Sequence, residues 1–145
     1  MNIFFNFQPG ILEAVNYNEG EIVGRHHLIT AGNDVEIKAT VDRPIIKANG
    51  SDLAYIKISL SDSEGNENLN SKEKINICIE GSGEIIGFGS ADPQTENFYQ
   101  SNEWETYDGK LLAVVRSKKK SGNINVSINF INIERAGKII QIVSE

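Results

Sequence analysis

The chain has 145 residues, 39% hydrophobic and 23% charged, with 14 lysines and arginines against 20 aspartates and glutamates for a net charge of −6. That suits one folded domain, or one domain and the end of another; it is too short for a barrel enzyme, and no run nears the roughly 20 apolar residues that cross a bilayer as a helix. A net negative chain repels nucleic-acid phosphate, and Lys118-Lys119-Lys120 is too short a basic run to reverse that, so neither nucleic acid nor membrane is an expected partner.

Branched side chains set the fold class. There are 21 isoleucines and 8 valines against 7 leucines, and branching at Cβ favours extended backbone over helix. An all-β chain is expected. The first 30 residues offer three strand-like runs, Ile3 to Phe7, Leu12 to Tyr17 and Glu21 to Ile29, divided by Pro9-Gly10 and Asn18-Glu19-Gly20. Met1-Asn2-Ile3-Phe4-Phe5 has neither a cationic leader nor a cleavage site, so no signal peptide is expected, which leaves the compartment open. Three such strands hardly close a core alone; the preferred reading makes residues 1–32 the terminal strands of a preceding β-sandwich, with Thr30-Ala31-Gly32-Asn33-Asp34 as a small polar linker.

From Val35 onward the alternation is regular. Val35, Ile37, Ala39 and Val41 alternate with Glu36, Lys38 and Thr40, and Ile56, Ile58 and Leu60 alternate with Lys57 and Ser59, as one buried and one wet face require. Asp62-Ser63-Glu64-Gly65-Asn66-Glu67 gathers oxygens like a calcium loop but has its glycine one place early and no flanking helices, so a solvated hairpin tip is expected. Ile75, Ile77 and Ile79 follow, with Cys78 on the opposite face. Leu111 to Val115 and Ile139 to Val143 are continuously apolar and read as central or covered strands. Between them Ile124, Val126, Ile128 and Phe130 alternate with Asn123, Asn125, Ser127 and Asn129, a register that a one-residue slip would ruin. With turn signals at Asn49-Gly50, Gly81-Ser82-Gly83, Asp108-Gly109 and Ser121-Gly122-Asn123, the pattern describes an immunoglobulin-like antiparallel β-sandwich over residues 33–145.

Tests for chemistry mostly return structure. One cysteine and two histidines make too few ligands for a structural zinc site, and His26 and His27, adjacent in a strand, point to opposite faces. No serine sits in a Gly-x-Ser-x-Gly elbow. In Gly81-Ser82-Gly83-Glu84-Ile85-Ile86-Gly87 an isoleucine occupies the third glycine position of a dinucleotide fingerprint, so phosphate cradling is not expected; Gly87 and Gly89 instead let a neighbouring backbone or ring come close. No metal, cofactor or catalytic residue is assigned.

The most unusual stretch is Ser90 to Asp108, where Phe98, Tyr99, Trp104 and Tyr107 stand among Asp92, Glu96, Glu103 and Glu105. Long loops are commonly functional, and rings beside carboxylates suit a sugar. The preferred reading is that the aromatics pin the loop over the sandwich or dock another domain. Candidate ligand or domain-contact residues are Asp92, Tyr99, Trp104 and Tyr107.

Several stretches carry a family likeness. They are Phe7 to Val15 with Thr30-Ala31-Gly32, Asp42-Arg43, Ile46-Lys47-Ala48-Asn49-Gly50-Ser51-Asp52-Leu53, Gly81 to Pro93, and Tyr107 to Ser117 with Ser121-Gly122. In order and spacing the chain resembles the carboxyl-terminal region of bacterial glycoside hydrolase family 2 enzymes of the β-galactosidase type. That resemblance implies an accessory module after the catalytic barrel, with the other domains of a parent hydrolase as partners. The family's catalytic glutamates have no matching position here, so the chain alone is expected not to be an enzyme. The rival expectations are a carbohydrate-binding module using the loop at 90–108, and a structural or adhesive module of a bacterial surface protein.

Overall fold

The computed structural model describes residues 6, 8–132 and 134–145. The strand expected over Ile3 to Phe7 lies almost wholly outside them. Among the described residues there are strands and no helix. The first two, β1 (Ile11–Asn18) and β2 (Glu21–Ile29), form a hairpin closed by Glu19 and Gly20, both at positive φ, the geometry that matches strand twist across a two-residue loop.

The remaining strands form two sheets. One runs in the order β3 (Glu36–Val41), β5 (Leu53–Ser61), β9 (Lys110–Ser117), β7 (Gly83–Gly89). The other runs β4 (Ile45–Ile46), β11 (Lys138–Ser144), β10 (Gly122–Phe130), β6 (Lys74–Gly81), β8 (Glu103–Glu105). All pairings are antiparallel except β4 with β11. The chain repeatedly changes sheet, as in a sandwich rather than a meander. At β6 to β7 the crossing is made by Gly81, whose φ of 98° and contact with the Asn123 carbonyl oxygen leave no room for a Cβ.

The inward faces are those expected from the alternation. Ile56, Ile58, Ala113 and Val115 of one sheet meet Ile75, Ile77, Ile124, Val126, Ile128 and Ile142 of the other, all at most 1% exposed. Filled with branched hydrocarbon, this interior is the source of the fold's stability.

Two expectations are sharpened. β9 and β11 are central, each with a strand on both sides, but they are not covered on both faces: Leu112 (42% exposed) and Ile139 (69%) face outward with no covering layer among the described residues. The turn after β5 is not simply a solvated tip either. Ser63 and Glu64 are exposed, but Asp62 is buried, because its carboxylate turns inward to accept hydrogen bonds.

Candidate functional site

The stretch after β7 is anchored at its middle. The Phe88 N–H of β7 donates to the Tyr99 carbonyl at 2.7 Å, drawing the segment against the sheet edge. Tyr99 then lies over Trp104, ring centroids 5.3 Å apart and planes 15° from parallel, an offset stack of the favoured kind. Both rings rest on Gly89, where a Cβ would come within 2.5 Å of Tyr99 and 3.3 Å of Trp104. A glycine is required there for close approach, as its place in the sequence suggested.

The four candidate residues separate accordingly. Trp104 belongs to β8, which pairs with β6 opposite Ile75, and at 3% exposed it is part of the core. Tyr99 is half exposed and keeps one face open. Asp92 holds a local turn, accepting the Gln94 N–H at 2.9 Å. Tyr107 pairs with Lys110 across the tight turn of Asp108 and Gly109, both at positive φ. The structure therefore brings Tyr99 and Trp104 together and leaves Asp92 and Tyr107 in turns of their own. Sequence reasoning missed the groove beside Tyr99, about 380 Å³, lined by Gly87, Gly89, Leu112 and Val114 with Tyr99 as a wall. Its surface is almost entirely carbon, since the two glycines of the edge strand expose the outer side chains of β9. Its signal was present as Leu112 and Val114, the even-numbered members of an apolar run.

Three carboxyls are held below their ordinary range by hydrogen bonds of the fold. Asp62 is held down to about 2, chiefly by the Gly32 N–H and the Asn66 side chain. Asp34 is lowered by its hydrogen bonds to Ser63, and Asp52 above all by the Lys47 N–H, with Arg43 adding to the effect. A carboxyl serving as general acid is raised instead. Among the described residues no cluster of three histidine, cysteine or acidic side chains is arranged to hold a metal.

Fold and groove define the class: an immunoglobulin-like β-sandwich domain entered through a β-hairpin. The chain belongs to the glycoside hydrolase family 2 C-terminal domain 5 family, whose family model matches residues 37–137. It is similar to the β-galactosidase BoGH2A of Bacteroides ovatus, 27% identical over 121 residues, which are 83% of this chain and 14% of that protein. Among solved structures, a glycosyl hydrolase family 2 member from Bacteroides cellulosilyticus superposes on 97% of this chain at a TM-score of 0.90 and 37% identity, using 18% of its own length. A carboxyl-terminal fragment of intimin shares the fold alone, at a TM-score of 0.52 and 10% identity. The chain thus spans less than a fifth of the length of these glycosidase relatives.

Proposed function

We propose that the chain is a non-catalytic accessory module of a glycoside hydrolase, packing against the catalytic part of its parent and orienting it. The observation that carries this reading is the match of the sandwich, residues 37–137, to a domain placed at the carboxyl end of family 2 enzymes. The hairpin lies before that match and has large apolar side chains exposed on it, Ile11 and Leu28 among them. It is read as the end of a preceding β domain occupying residues 1–32, with the sandwich occupying 33–145. Tyr99 and the groove beside it make a domain contact in this reading. A carbon-lined wall receives an apolar side chain better than a hydroxyl-rich sugar, whose polar groups need partners. Asp92, Trp104 and Tyr107 support that wall or its neighbouring turns.

The test is an assay of the purified 145-residue chain on chromogenic galactosides and glucuronides. No turnover is expected. Hydrolysis that tracks the protein through successive columns would overturn the reading. Calorimetric titration with galactose oligomers separates the carbohydrate-binding alternative: heat that disappears in Tyr99→Ala would favour it over a domain contact.

A further inference from the structure

The place where the chain enters the sandwich is gripped by it. Asp62, at the end of β5, is 3% exposed, and its Oδ2 accepts the Gly32 N–H at 2.9 Å. The same carboxylate accepts the Asn66 N–H at 2.7 Å and the Asn66 side-chain amide at 3.0 Å. Returning the grip, Asp34 accepts the Ser63 N–H at 2.8 Å, and the Asn68 side-chain amide donates to the Gly32 carbonyl at 3.4 Å. Linker and turn are therefore joined by three bonds running in both directions, two of them to ionised acceptors, the stronger kind. A Cβ at Gly32 would stand 2.9 Å from Asp34 Oδ1, so a larger residue there would have to push that carboxylate aside. A linker built to swing leaves its amides to water. This one commits the amide of its middle residue to a buried carboxylate.

A second observation points the same way. The family 2 member from Bacteroides cellulosilyticus overlays 97% of the chain at a TM-score of 0.90, a span that takes in hairpin and sandwich together. We propose that the turn after β5 is a clasp that makes the joint between hairpin and sandwich rigid, with Asp62 as its positioning residue. What the clasp does in a parent enzyme, fixing the angle between successive domains, rests on the reading of the hairpin given above; the stiffness itself belongs to this chain and is measured on it.

Residual dipolar couplings of the weakly aligned 145-residue chain test it. The amides of β1 and β2 and those of the sandwich are expected to fit one alignment tensor. In Asp62→Ala every acceptor that holds the Gly32 N–H and Asn66 is gone, so the two groups are expected to need separate tensors while the sandwich shifts hold. If Asp62→Ala fails to fold, the double variant Asp34→Ala with Asn68→Ala, on more exposed positions and lacking two of the three linker bonds, decides instead. Two tensors in the native chain, or one tensor in the folded variant, overturns the clasp. Neither result bears on turnover, and turnover by the chain would sink the accessory reading without touching the joint.

Discussion

Ile128 lies in the second half of β10, fully buried, paired with Ile77 and facing the opposite sheet. Its truncation to alanine removes three buried carbons and leaves a hole that branched neighbours, already in place, fill only in part. The expected loss is about 2 to 5 kcal/mol, read from the urea midpoint at unchanged slope; a loss below about 1 kcal/mol would place the residue outside the core. Asn129, next along the strand, faces solvent, so a one-residue error of register reverses the outcome. At this scale much was legible, because a period of two assigns each side chain to a face without knowledge of its partner. Trp104 is the exception. It reads as one of a group of rings among acids, since the Glu103-Trp104-Glu105 alternation covers only three residues, and only its pairing with β6 shows that the middle one turns inward.

Among elements, the long strands were visible and the short ones were not. β4 has two residues and pairs in parallel with β11, about a hundred positions away, with no turn beside it to announce the pairing. The stretches at 111–115 and 139–143 read as central or covered because both faces are apolar; they are central, and their outward faces have no cover among the described residues. The elements also differ in how they meet acid. Asp62, Asp34 and Asp52 all titrate below the ordinary 3.8 in the folded chain, Asp62 at about 2, because backbone and side-chain donors favour their ionised forms. Between those values the unfolded chain binds more protons than the folded one, so stability must fall as pH falls. The contribution of Asp62 is complete above about pH 4 and is lost as pH drops through about 2. Thermal scans from pH 6 to 2 are expected to show a melting temperature that declines steeply below pH 4, with a shallower decline in Asp62→Asn. Parallel curves for the two proteins would mean that the carboxylate is not held by these donors.

For the whole molecule, hydrophobic burial is unevenly shared. Every buried apolar residue among those described falls between Val35 and Ile142, whereas the hairpin leaves Ile11, Leu12, Tyr17, Ile22, Val23, Leu28 and Ile29 exposed. A two-stranded hairpin is marginal in water, and this many exposed apolar side chains favour association. The proposed division into residues 1–32 and 33–145 therefore predicts that the sandwich carries the cooperative unfolding and the hairpin carries the stickiness. Removing residues 1–30, which retains Gly32 and Asp34 and so the clasp, is expected to leave a protein that melts in one transition. Since about 1 kcal/mol moves the melting temperature of a domain this size by roughly 3 to 6 °C, a shift of no more than that is the expected cost. Sedimentation velocity at rising concentration should show the full chain self-associating and the shortened one remaining a monomer. A shortened chain that unfolds without cooperativity would show that the sandwich depends on the hairpin for its core. The boundary near residue 32 would then be wrong, and the two parts would have to be treated as one domain.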